Sequence, residues 1–323
     1  MSQVVFTVIT TCTKKKTATP HAYIPSGMVF ETQDELSDYW NKLLKSCPES
    51  RKLQATDLYK GRGFMRIMQV MKEDLSRIWV ISAGLGFLPA SSLLVPYNLT
   101  TSIGTDQHVK KHLQHGRFMV DKWWAGLNNG KNAIAEFIEN RPGIIVLAVS
   151  RSYLEMIHKD LVSLAPEHLA RVRIVGNELE EVASADLFDC IMPYDARLNS
   201  DASPAPGSKI DFAQRAAQHF ITQVLQSHPK ASAKEHAKLV HESMNSYGDF
   251  AEAIRNSSMD DLELRNLVLA EWDSAYGKPS RMLQIIRKVH KRSVSEKRLD
   301  RIFKELMQER TSGEIDSEEE EEG

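Results

Sequence analysis

Ile78-Trp79-Val80-Ile81-Ser82-Ala83-Gly84-Leu85-Gly86 is the stretch of this 323-residue chain whose reading decides the fold. Four apolar residues in a row, three of them β-branched, read as a short strand covered on both faces rather than as a half-exposed one. The run stops at a serine and two glycines, so the chain turns straight after it. The same pattern recurs at Val4 to Ile9, Ile144 to Val149, Val172 to Val175 and, most weakly, Phe188 to Met192. Between these runs, segments 33–44, 63–75, 106–127, 131–139, 152–164 and 210–226 carry apolar residues at three- and four-residue intervals, as amphipathic helices do. Strand–helix alternation of this kind predicts an α/β domain over residues 1–227, a largely parallel sheet between two helical layers.

After His228 the Val/Ile runs cease. Segments 232–245, 247–256, 259–273, 279–290 and 294–309 are all of helical period, so residues 228–310 are expected to form an all-helical domain. Residues 311–323 hold seven carboxylates and no base, and are expected to be a disordered acidic tail. The formal charge of −2 therefore hides a chain that sums to −2 + 7 = +5 ahead of the tail. Much of that excess lies in the helical domain, where Arg281, Arg287, Lys288, Lys291, Arg292, Lys297 and Arg298 are the expected contacts to a DNA backbone, with the tail as an internal competitor.

Other classes are disfavoured. No uncharged apolar run approaches the ~18–20 residues that span a bilayer. Met1 to Thr11 lacks a basic start and reads as a strand, so a cytoplasmic protein is expected. Cys12, Cys47 and Cys190 have no CxxC spacing, which points away from a disulfide framework or a zinc site; neither metal nor cofactor is expected. There is no phosphate-binding G-x-x-x-x-G-K-[ST] loop.

Ligands of open parallel sheets bind beyond the carboxyl ends of the strands. Those ends carry Cys12 and Lys14, Ser82 with Gly84 and Gly86, Ser150, Asn177, and Asp195. The glycine pair allows close backbone approach to a ligand. Asp57 is either a helix-entry residue or a functional carboxylate. His219, inside an amphipathic helix, and the Trp123-Trp124 pair read as core residues.

Four blocks in order carry a resemblance: Cys12-Thr13-Lys14-Lys15-Lys16; Asp57-Leu58-Tyr59-Lys60-Gly61 with Phe64; Trp79 to Leu88; and Pro96-Tyr97-Asn98. They resemble an uncharacterised bacterial and phage family with the pattern S-C-x-K-x-K, L-Y-x-G-x-x-F, W-x-I-L-S-A-x-x-G-L and P-Y-D. They are also similar in order to the YaaA peroxide-stress family, whose members bind DNA. Thr13 stands where a glycine is usual, and Asn98 where Asp or Arg is. The resemblance spans about the first hundred residues, and the basic stretch 278–303 is similar to the helical tail of some members. More distantly the arrangement looks like the uracil-DNA glycosylase superfamily and a domain of archaeosine synthase, which implies a nucleobase pocket at the strand ends.

That resemblance implies a DNA glycosylase that excises an unusual base, set in defence against phage. In this reading Asp57 and Asp195 are the catalytic carboxylates, Asn98 orients a base or water, and Cys12, Lys14, Tyr59, Ser82, Gly84, Gly86, Tyr97, Ser150 and Asn177 contact the base or phosphate. A carboxylate is required because breaking an N-glycosidic bond builds positive charge on the sugar. The alternatives are a non-catalytic DNA-binding protein and an RNA-modifying enzyme for a 7-deazaguanine-type base.

Overall fold

The computed structural model describes residues 5–101, 107–248, 259–290, 292 and 294–319, with side chains throughout except at 288 and 310–319. Five strands form one sheet: β1 (Phe6–Thr11), β2 (Ile78–Ser82), β3 (Gly86–Pro89), β4 (Ile144–Ala148) and β5 (Val172–Val175), in the order β3-β2-β1-β4-β5. β1 pairs in parallel with β2 and β4, and β4 with β5; β3 returns antiparallel to β2. Thr11 lies opposite Ile81, and Ile9 opposite Leu147, so the carboxyl ends of the three central strands open on one side.

Side-chain alternation splits the strands between two cores. Val8, Val80 and Val146 face one helical layer, made of α1 (Gln33–Lys45), α2 (Arg62–Val70), α6 (Phe212–His219) and α7 (Ala233–Ser246). Ile9, Ile81, Ile145 and Leu147 face the other, of α4 (Ala133–Asn140) and α5 (Arg151–Val162). Both α1 and α7 begin with capping boxes, Thr32 with Glu35 and Ser232 with Glu235, which satisfy amide donors that would otherwise be unpaired. α3 (Val120–Leu127) sends Trp123 to the first core and Trp124 to the second. The three-layer α/β architecture expected from the apolar runs is present. Among the described residues no helix is long and apolar enough to cross a membrane.

Several elements differ from expectation. Residues 188–192 are not a strand: a tight helical turn occupies Ala185–Cys190, and Ile191 makes a lone bridge to Ile174. The 106–127 segment is broken: a single tight turn spans Val109–His112, Gly116 takes φ +92°, which interrupts the helical path, and the α-helix starts only at Val120; residue 106 lies outside the described residues. β3 is additional. Its Pro89 is tolerated because an edge strand leaves one row of amides unpaired.

The chain divides at 249/250 rather than 227/228. α7 belongs to the α/β unit because Val240 and Met244 enter its core and Nε of buried Arg173 donates to His236 Nδ1 at 2.9 Å. The expected helix 247–256 falls largely outside the described residues. In the second unit, α8 (Asp261–Ala270), α9 (Pro279–Lys288) and α10 (Glu296–Glu319) enclose Leu264, Val268, Met282, Ile286, Ile302 and Phe303. Trp272 stacks on Phe303 at 4.4 Å. α10 continues through 311–319, where composition predicts disorder: no proline and only Gly313 interrupts the helical run. Residues 320–323 lie outside the described residues.

Candidate functional site

The order of the strands reverses at β1, and the crevice between the ends of β1 and β4 is where such a sheet holds its ligand. A cavity of about 610 Å3 occupies this place. β1 leads into Thr11, Cys12 and the lysines 14–16; β4 leads into Val149 and Ser150, with Tyr153 a turn further on. Lys60 to Phe64, at the start of α2, and Lys209 to Gln214, at the start of α6, form two more walls. Asn98, Thr100, Gln107 and Asn177 complete the lining with the edges of three loops.

The lining is strongly one-signed. Among the described residues of the lining, Lys14, Lys15, Lys16, Lys60, Arg62 and Lys209 stand against one carboxylate, Asp211. A concave surface of this kind concentrates its field and draws in polyanions. Apolar side chains, among them Phe64, Leu99, Val149 and Phe212, share the lining. Lys16 Nζ sits 4.1 Å above the Tyr97 ring, and burial lowers its pKa against the opposing influence of Cys12. Cys12 Sγ lies 3.1 Å from the Tyr153 hydroxyl, whose pKa is raised first by burial and then by Cys12. Gln214 is buried and donates from Nε2 to Thr10 and Thr11 Oγ1 at 3.3 and 3.2 Å, tying α6 to the end of β1.

The approach of the α2 wall depends on a glycine. A Cβ on Gly61 would lie 2.0 Å from Thr13 Oγ1, so only glycine lets the Lys60–Arg62 backbone pass beside the exit of β1. The α6 wall depends on Arg215, whose side chain is wholly buried. Its guanidinium donates to Ala205 O at 2.8 Å, Ser208 O and Asn199 Oδ1 at 2.6 Å, and Asp211 Oδ1 at 3.2 Å. The loop 199–211 is thus wrapped around one buried cation. The hydrogen bonds described for Asp211 from Arg215 and Ser208 both fall on Oδ1.

Of the residues singled out from the sequence, Cys12, Lys14, Asn98, Ser150 and Asn177 do line the cavity. The two carboxylates do not. Asp57 is exposed in the short helical turn Ala55–Leu58, where its carbonyl accepts from Thr17. Asp195 caps the turn Ala196–Asn199 and is held in a two-toothed pair by Arg197. Burial would raise the Asp195 pKa, but the Arg197 contacts outweigh it and lower it. Both are local structural residues, absent from the lining.

The Ser82–Gly86 segment is likewise a hairpin corner and not a ligand cradle; of these five residues Ala83 alone reaches the cavity. Ser82 Oγ accepts from the Leu85 amide at 3.1 Å and bonds the Tyr97 hydroxyl at 2.9 Å. A Cβ on Gly84 would meet the Tyr97 ring at 2.6 Å, and Gly86 has φ +80°. Tyr59 and Tyr97 are therefore core, 0% and 2% exposed, with hydroxyls 3.5 Å apart and pKa values raised chiefly by burial. Trp123 and Trp124 are buried as expected, their indole nitrogens donating to Ala83 O and Asp160 Oδ1. His219 is also core, held between the hydroxyls of Tyr194 at 2.8 Å and Tyr247 at 2.7 Å.

The expected backbone-binding set is only partly available. Arg298 is tied to Asp261 and to Met259 O, Arg292 to Glu263, and Arg287 to Val294 O, so these three hold their own unit together. Lys297 is exposed, and Arg281 lies 4.4 Å over the Tyr276 ring on the surface. The side chains of Lys288 and Lys291 lie outside the described residues. Comparison with known protein families, with curated protein sequences and with solved structures finds no match to this chain.

Proposed function

We propose that the cavity is a nucleic-acid site and that the protein is a DNA N-glycosylase for an unusual base. The observation that carries this is the charge of the lining: six cations against one carboxylate among the described residues, around a concavity at the switch point of a parallel sheet. Cations at the rim suit the phosphates on either side of a nucleotide, while Asn98, Asn177 and Gln107 offer amide groups to the edge of an extruded base.

Asp57 and Asp195 play no direct part in this scheme, because neither lines the cavity. Asp211 takes the role that they were given. Arg215 holds it in place through Oδ1, and among the described lining residues it is the carboxylate that could stabilise positive charge on the sugar as the bond to the base breaks, or orient the attacking water. Lys16 and the other rim cations hold the phosphates.

The test is incubation with genomic DNAs, including phage DNAs rich in modified bases, followed by alkaline cleavage and mass spectrometry of released small molecules. A free base with matching alkali-labile sites is expected. Asp211→Asn should lower its release by about a hundredfold or more while DNA binding persists. Intact DNA despite tight, salt-sensitive binding would overturn catalysis and leave a binding protein. The close pairing of Asp211 with Arg215 is what favours that second reading.

A further inference from the structure

Ile210 is 91% exposed, on the tight turn Lys209–Asp211 at the lip of the cavity. Among the described residues of the α/β unit, the other large apolar side chains left in solvent stop at 54%, for Leu93. Scattered surface hydrophobes need no explanation, but this one is unlike the rest in three ways. It stands between Lys209 and Asp211, which both line the cavity. Its backbone is not a floppy tip, because Arg215 holds the carbonyls of Ala205 and Ser208 and the carboxylate of Asp211. A Cβ on Gly207 would come within 2.8 Å of Arg215 Cδ, so the loop packs onto the guanidinium stem as closely as a chain can. Arg62, from the opposite wall, reaches Ser208 Oγ at 3.3 Å and braces it from the other side.

We infer that Ile210 is a wedge that enters the base stack of duplex DNA beside the nucleotide taken into the cavity. This rests on the nucleic-acid reading of the site. Extruding a base from a duplex leaves a gap whose neighbours are unstacked, and an apolar side chain filling that gap offsets part of the loss. A β-branched residue suits the task because its side chain has few rotamers to lose on insertion. The rigid backbone delivers it at a fixed distance from the cavity mouth, and the surrounding cations grip the phosphates on either side.

The experiment uses duplex oligonucleotides carrying 2-aminopurine, whose fluorescence rises when it unstacks, together with single strands of the same sequence. The full-length protein is expected to raise the fluorescence of the duplex. Ile210→Ala should lower that response, and the affinity for duplex, by about tenfold, with single-strand affinity within about twofold. Ile210→Phe should retain the response. Because the side chain touches little of the protein, equal melting temperatures for the wild type and both variants are expected and separate the effect from misfolding. An Ile210→Ala protein that unstacks duplex as the wild type does, or a wild type that binds duplex without unstacking it, overturns the wedge. Unstacking by the wild type with no base released from any DNA leaves the wedge standing and overturns the glycosylase.

Discussion

Arg215 and His219 lie one turn apart on α6 and make opposite uses of burial. The guanidinium stays charged because Asp211 and four other oxygens surround it at hydrogen-bond distance. Arg215→Ala would leave the Asp211 carboxylate buried without its partner, a loss of about 3–5 kcal/mol measurable by urea unfolding. The imidazole of His219 has no counter-charge, so burial lowers its pKa to about 4. Above pH 6.5 it is neutral folded or unfolded, and its contribution is complete. Between 6.5 and about 4 only the unfolded chain takes up the proton, so stability falls with pH, by about 3 kcal/mol in all. Unfolding free energies measured from pH 7.5 to 4.5 should show this slope, and His219→Gln should flatten it. Equal slopes in the two proteins would contradict the assignment. In the sequence, Arg215, Asp211 and Gln214 carry no motif that marks them. Asp211 and Gln214 reach the cavity through the packing of α6 across β1, a contact more than two hundred residues long in sequence, whereas Cys12, Lys14, Ser150 and Asn177 are legible because each lies within a few residues of the end of an apolar run.

Among the elements, the hairpin β2–β3 shows how a sequence signal can be real and yet carry another meaning. Ser82-Ala83-Gly84-Leu85-Gly86 does mark a sharp turn after a strand. Its glycines serve the Tyr97 ring and a left-handed corner instead of a ligand, and this distinction is invisible until Tyr97 is placed in space. Gly86→Ala forces a side chain onto φ +80° with Asn128 Oδ1 2.7 Å from the new carbon, and should destabilise by about 1–3 kcal/mol in thermal melts. Gly61→Ala acts elsewhere: it pushes the α2 wall from Thr13, so DNA affinity should fall more than stability does. β1, β2, β4 and β5 are legible because both faces are covered and their apolar runs are unbroken. β3 is not, since Phe87-Leu88-Pro89 is short and contains a proline. The 188–192 run misleads because Asp189 and Cys190 sit in a turn that merely packs its apolar side chains against the sheet.

For the molecule as a whole, charge and architecture are separately distributed. The α/β unit carries its own two cores, and the helical unit a third. A chain ending at residue 249 should therefore unfold in one cooperative transition and retain the far-ultraviolet spectrum of an α/β protein; a non-cooperative melt would show that the first unit depends on the second. If all six cations of the cavity engage phosphates, duplex affinity should fall with a slope of roughly −5 in log K against log salt. Lys15→Ala should lower that slope by about one, measured by fluorescence anisotropy. The division into an α/β and a helical unit is legible from where the Val/Ile runs stop, but the boundary is not. α7 looks like its helical successors in period, and only its contacts with the sheet assign it to the first unit. The central position of β1 has a consequence for how the protein is made. Its neighbours are β2, some seventy residues downstream, and β4, which begins at Ile144. At ribosomal rates β1 stays without its second partner for on the order of ten seconds. During translation, Phe6 to Thr11 is accordingly exposed as an unpaired apolar segment until Ile144 to Ala148 has emerged.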